Sequence, residues 1–592
     1  MTKPTNMWTA SVVACERALA LAFVLSSALS YAQTPVPQPS FVAHARAVVE
    51  DVVVTDRRGR PVPGLKLQDF EIREDGKPQV IQTFEEHVGV GNGKPVALPS
   101  MPANVYTNVP ATSDSSSVDI LLLDSLNSSA QDFAYASGEV KRFLEHPRVA
   151  RPVAIFLLGE RLYYLHGFTT DMSQLNSSLT GAVSKQAAGD VTTLFGFANA
   201  AAPDAEPTFH GSSGGEASSV AAASRATAAN HFAELGAETR AQATLEALDY
   251  LAHYLAGLPG RKNLIWFASD FQNLIAPTPE QEPLSGFLAP LEARARQTSD
   301  ELVQARIAVY PVFAGGIMNE QIYAANLSGP ASADGGGHIG GFLSPMMPYQ
   351  SQGDARAATM GSMNLMAETT GGKAIVNTND LGAAVRRVLD DGTSFYTLSY
   401  SPSDGKLDGR YRSITVRLKS HRGEVRLAYR RGYDADPVRP IPIAADTDQL
   451  QPLLAYGLPN VAEILFGLRV QASPMAGSPS PGNAASNSTS LNYSFDFLLQ
   501  AAGLSWQTAP DGTHTGSIEL ALAAYSADGV LLKSVGQVER LHLTPQEQAL
   551  VAASGLPVHL QVTLPAACQH LQVGIYDQHS GAVGTLSVAL TR

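Results

Sequence analysis

Three short stretches of this chain end in oxygen-bearing side chains that could share one task. "VDILLLDSLNSS" closes an apolar run with Asp124, Ser125, Asn127, Ser128 and Ser129; "LHGFTTD" offers Thr169, Thr170 and Asp171; "KNLIWFASD" ends in Ser269 and Asp270. A buried strand has no use for a carboxylate at its end, so Asp124 and Asp270 call for a reason. Two carboxylates and several hydroxyls at one sheet edge form an all-oxygen site. That chemistry suits a hard divalent cation, above all Mg²⁺ with part of its water shell retained. The plainer reading is that these Asp residues cap turns or helices where strands end.

The elements that would position these groups can be read from periodicity. From residue 118 to 395, apolar strand candidates alternate with amphipathic helices, among them "TLEALDYLAHYLAGLPG" and "DLGAAVRRVLDDG", the latter capped at Asp380. That alternation predicts an α/β domain built on a doubly wound, mostly parallel sheet, with ligands at the carboxyl ends of the strands. Two low-complexity inserts, near 185–230 and 328–355, interrupt it and read as mobile surface loops. Residues 41–90 read as a small β domain with a hairpin turn at Asp75-Gly76, and 91–117 as a linker. Residues 396–435 read as strands that extend or pack on the α/β sheet, and 436–458 as a second linker. Residues 459–592 are strand-like and predict a β-sandwich, with 473–490 as a loop inside it.

The N-terminus carries an export pattern: Lys3 and Arg17, an apolar core at 18–30, and small residues before a cleavage point after Ala32. A Pro-rich tether, 33–40, follows. Cleavage would leave Cys568 as the one cysteine and no intrachain disulfide. No later segment is apolar for long enough to span a bilayer, so no integral membrane segment is expected once the signal is removed. The expected location is the periplasm or the outside of the cell. At 592 residues the chain should hold roughly three or four domains. Its net charge of -13 argues against a nucleic-acid-binding surface.

Other motifs fail on context. "GSSGG" (211–215) fits a nucleophile elbow and "GGGHIG" (335–340) a dinucleotide fingerprint, but neither lies between a strand and a helix. No zinc-ligand spacing occurs. The basic run from Arg410 to Arg431 reads as a solvated strand face, with an anionic polysaccharide or acidic protein as the functional alternative.

The Asp-rich strand ends resemble the metal-ion-dependent adhesion site of the von Willebrand factor type A family. There the first strand ends in Asp-x-Ser-x-Ser, a later loop adds Thr, and the fourth strand ends in Asp. The resemblance places Asp124 and Ser128 in the first motif, Thr169 or Thr170 in the second and Asp270 in the third. It departs from the family at Leu126, where a coordinating Ser would stand, and at Phe271. A closer resemblance is to the VWFA-related variant of exported acidobacterial proteins. It is carried by "VVVTDRRGRPVPGLKLQDFEIREDGKPQVIQTFEE", "LLLDSLNS", "GRKNLIWFASDF", "TGGKAIVNTNDL" and "FYTLSYSPSDGKLDGRYRSITVRL" over about residues 45–435. It implies an exported, non-enzymatic binding protein of adhesion type. The implied partner is a protein or an envelope or matrix ligand, engaged through a degenerate Mg²⁺ site. The alternatives are a passive structural part of an envelope assembly and, more remotely, an envelope hydrolase.

Overall fold

The computed structural model describes residues 47–88, 101–110, 117–145, 151–187, 236, 239–270, 289–316, 347–392, 394–406, 408–419, 425–435, 450–473 and 490–590. The export signal (1–32), the tether (33–40), most of both inserts and most of 436–458 and 473–490 lie outside these residues. Two compact units emerge: 45–93 with 114–437, and 94–113 with 438–592.

The first unit begins with β1 (Val48–Asp56), β2 (Phe70–Glu74), β3 (Lys77–Gln79) and β4 (Ile81–Val88). Asp75 and Gly76 both take positive φ, 46° and 76°, as a two-residue hairpin turn of this hand requires. The strand β5 (Val105–Thr107) belongs to the second unit. Then come β6 (Ser117–Asp124), β7 (Val153–Leu158), β8 (Leu162–Thr169), β9 (Arg261–Ala268) and β10 (Ile307–Phe313). Every residue of β6, β7, β9 and β10 is buried, which is why most of their length reads as apolar runs. They form one five-stranded sheet in the order β10-β9-β6-β7-β8. The helices Ala130–Glu145, Met172–Ala187 and Leu381–Asp391 pack Phe133, Val140, Phe143, Leu175, Val385 and Leu389 into one core with Leu121, Leu123, Ile155 and Phe267. The helix at 239–256 brings Tyr254 against Phe156, Tyr164 and Phe168.

This sheet corrects the expected fold class. Its parallel ladders join β10 to β9, β9 to β6 and β6 to β7, but β8 runs antiparallel to β7, so the sheet is mixed. The other four sheets among the described residues are antiparallel, and the molecule is not a doubly wound, mostly parallel α/β fold. The physical reason is connection length. Gly159 to Arg161 is all that links β7 to β8, and a parallel return needs a crossover of a dozen residues or more.

The strands β11 (Ser394–Tyr400), β12 (Tyr411–Leu418), β13 (Val425–Ala428) and β14 (Gly432–Asp434) pair with the N-terminal strands and do not extend the mixed sheet. Two four-stranded sheets result, β13-β1-β11-β4 and β14-β12-β2-β3, with registers such as Val48↔Tyr400 and Ile414↔Glu74. Their shared core holds Val52, Phe70, Ile72, Tyr396, Leu398 and Val416. The helix Met347–Thr370 starts inside the stretch read as the second insert. Residues 373–379 contribute the bridge Val312↔Ile375.

The second unit is a sandwich of β20-β16-β15-β5 against β17-β18-β21-β22, with β19 also on β18. These strands are β15 (Phe466–Ser473), β16 (Ser490–Leu499), β17 (Gln507–Thr508), β18 (His514–Tyr525), β19 (Leu531–Leu543), β20 (Leu556–Pro565), β21 (His570–Asp577) and β22 (Val583–Ala589). Its edge strand β5, paired as Gly467↔Thr107, comes from the stretch read as the first linker.

Candidate functional site

Asp124 ends β6 beside Leu158, at the carboxyl edge of the parallel strands. Its side chain is 1% exposed. Oδ1 accepts the backbone N–H of Asn127 at 2.8 Å; Oδ2 accepts Nδ2 of Asn127 at 2.8 Å and the indole Nε1 of Trp266 at 2.9 Å. Burial pushes this carboxyl up to about 6, against the lowering effect of the Asn127 and Trp266 donors. Asn127 Nδ2 also donates to Thr244 Oγ1 at 2.8 Å, and Thr244 donates on to the carbonyl of Arg240. Asp124 is therefore an acceptor for a buried indole and a buried turn.

The loops after β6 and β9 are tied directly. The carbonyl of Asn127 accepts the N–H groups of Ser269 at 3.1 Å and Asp270 at 2.9 Å. Ser128 Oγ accepts Ser269 N–H at 3.2 Å, and Ser269 Oγ accepts Ser129 N–H at 3.3 Å. Asp124, Ser128 and Asp270 thus come to one edge, with Ser128 half-buried and Ser129 and Asp270 exposed at its rim.

Thr169 and Thr170 do not join them. Because β8 runs antiparallel, Thr169 pairs with Val153, at the opposite end of β7 from Leu158. Five residue steps separate those ends, about 17 Å at 3.3 Å each. Thr169 Oγ1 accepts Asp171 N–H at 3.0 Å, and Asp171 Oδ1 accepts Ser173 N–H at 3.0 Å at the start of the helix Met172–Ala187. Thr169 and Asp171 thus serve a helix end.

A divalent cation is poorly served here. Both Asp124 oxygens already take N–H donors, Leu126 has no oxygen in its side chain, and the threonines lie across the sheet. Among the described residues, no group of three or more His, Cys, Asp or Glu could hold a metal ion. Reading the sequence missed Asn127 and Trp266 as partners of Asp124, and Thr244 as a partner of Asn127. The signal for Asn127 was its place three residues after an Asp, where a side-chain-to-backbone turn is expected. Thr244 and Trp266 had no local signal.

No family model matches the chain, and no curated protein matches it. Among solved structures, an aerotolerance-related membrane protein from Bacteroides fragilis overlaps 46% of this chain and 98% of its own, at 11% identity and a TM-score of 0.21. The conserved hypothetical protein BatB from Bacteroides thetaiotaomicron gives 47% and 98%, 12% identity and 0.21. The three N-terminal domains of the type V pili tip protein Mfa5 from Porphyromonas gingivalis give 66% and 75%, 10% identity and 0.21. Overlaps this weak establish neither a common fold nor a common activity. Among the described residues, no helix is long and apolar enough to cross a membrane.

Proposed function

We propose that this chain is an exported, non-enzymatic binding protein related to the von Willebrand factor type A family. Its partner surface is the rim formed by the loops after β6 and β9, and it engages a protein or envelope ligand without a bridging cation. The observation that carries this reading is the direct tie between the two loops, with Asn127 O accepting from both Ser269 and Asp270. A rim held by hydrogen bonds between its two loops presents Ser129 and Asp270 in a fixed arrangement, which lowers the ordering cost of binding. The sequence pattern of residues 1–32 supports export.

The test is capture from envelope extract by the mature chain, with Mg²⁺ and with chelator, beside a rim variant carrying Ser129→Arg and Asp270→Arg. Capture that survives chelator and is lost in the rim variant is the expected result. Equal capture by both proteins would refute the rim as the surface. Capture lost in chelator would restore the cation reading, and no specific capture would favour a passive structural part.

A further inference from the structure

A row of unpaired N–H and C=O groups along a sheet edge invites another strand, and the second unit closes nearly all of its edges. β5 and β17 are three and two residues long. Along β22, Ile464 N–H donates to the Val583 carbonyl, Thr585 N–H to the Val461 carbonyl and Ser587 N–H to Asn460 Oδ1. On β20, Lys533 Nζ caps the outward carbonyl of Thr563 at 2.7 Å. Pro557 and Pro565 stand on the same side of that strand by its period of two, where proline has no N–H to offer.

The edge of β19 stays open. Among the described residues this strand of 13 pairs with β18 alone. The register shows where its free groups point. The carbonyls of Ser517 and Tyr525 accept Gln578 and Gln569 N–H on the β21 side, so the even-numbered residues of β18 bond to β19. These lie opposite odd-numbered residues, from Gly516↔Leu541 to Ala524↔Lys533. Ser534, Gly536, Val538, Arg540 and His542 therefore turn N–H and C=O outward, and all five are exposed. The run 533–543 holds no proline, and the one register shift of this ladder lies beyond it, between Ala524 and Tyr525.

We propose that β19 joins two copies of this chain, paired antiparallel about a two-fold axis at Val538. Full overlap of 533–543 with the same run of a second copy sets this register. It brings outward residues together, Ser534 with His542, Gly536 with Arg540 and Val538 with its counterpart. About ten backbone hydrogen bonds result, two for each such pair.

A second copy fits because the run complements itself. On one face Val535 meets Leu541 of the other copy, and Gln537 meets Glu539. On the other face Val538, 48% exposed in the single chain, is covered by its counterpart, and Gly536 leaves room for the Arg540 side chain. No like charges stand directly opposite each other. Lys533, the remaining charge of the run, faces Leu543 and is already turned toward Thr563. Each copy uses its one open edge, so the assembly closes as a dimer.

A strand-edge contact is small, so it is read by sedimentation equilibrium of the full mature chain from about 5 to about 300 µM. The apparent mass should approach twice that of the monomer. Val538→Pro removes one outward N–H, leaves the bonds to β18 in place and should keep the chain monomeric with an unchanged melting temperature. Val538→Lys alters no backbone group and opposes two ammonium groups across the axis, so it should weaken association about tenfold even if the proline disturbs the fold. A wild type that stays monomeric at about 300 µM would overturn the proposal and leave the edge to a strand of another protein. Dimers unaffected by both substitutions would overturn β19 as the contact. Disulfide trapping tests the register, since Cys568 is buried and Cys15 lies in the segment expected to be cleaved. Val538→Cys should cross-link at least about ten times faster than Arg540→Cys, whose counterpart lies about 13 Å along the strand. Equal rates would overturn the axis at Val538.

Discussion

Asp124→Ala separates a structural acceptor from a metal ligand. The substitution removes the acceptor for three buried donors, Asn127 N–H, Asn127 Nδ2 and Trp266 Nε1. Each bond lost to a buried donor costs about 1–3 kcal/mol, and because Asn127 Nδ2 keeps Thr244 Oγ1 and a water partly fills the space, the loss should total about 3–5 kcal/mol at pH 5. The pH dependence follows from the raised carboxyl, 3.8 in the unfolded chain and about 6 when folded. A group shifted upward contributes stability that is full below the unfolded value and is lost as pH rises through the folded one. Between pH 5 and pH 8 the wild type should therefore lose about 1.4 kcal/mol through Asp124. Asp124→Ala has no such term, so its deficit should shrink by that amount at pH 8. Urea unfolding followed by the fluorescence of Trp266, in a Trp506→Phe background, reads the first unit locally; Trp8 lies in the segment expected to be cleaved. A variant within about 1 kcal/mol of wild type at pH 5 would refute the reasoning. That neutral result is what two carboxylates held open for a cation would give.

Two further substitutions check the geometry. Replacing Thr169 and Thr170 together by Val should leave the melting temperature in Mg²⁺ and in chelator shifted equally, by no more than the loss of one exposed turn bond, because both residues lie across the sheet from Asp124. A difference that appears only in Mg²⁺ would contradict that placement. Arg151→Ala should cost about 3–5 kcal/mol in the same urea assay, since it strands the buried Asp119, 3.0 Å from Nη2. Arg151→Met with Asp119→Leu should recover most of that loss, and equal damage in the single and double variants would refute the ion-pair account.

Local chemistry made several elements legible. The apolar runs at 120–123 and 264–268 are strands because no other element buries every consecutive side chain in so short a stretch. Asp75-Gly76 marked its turn because few residue pairs accept positive φ twice, and Asp380 caps its helix by accepting Ala383 N–H at 2.7 Å. Even the antiparallel β8 was signalled by the three-residue link before it, although the helix-rich surroundings suggested a mostly parallel sheet.

Pairing across long distances was decided only by the tertiary structure. Period-two alternation shows which face of a strand is buried but not which strand lies beside it. Hence β1 could not be seen to join β11 more than three hundred residues later, nor 105–107 to become the edge of the second sandwich. The same limit moved the site. Thr169 and Asp124 both end strands, yet strand direction places them at opposite edges. The role of Asp124 was set by Trp266, 142 positions away, because a buried carboxylate is defined by the donors the fold brings to it.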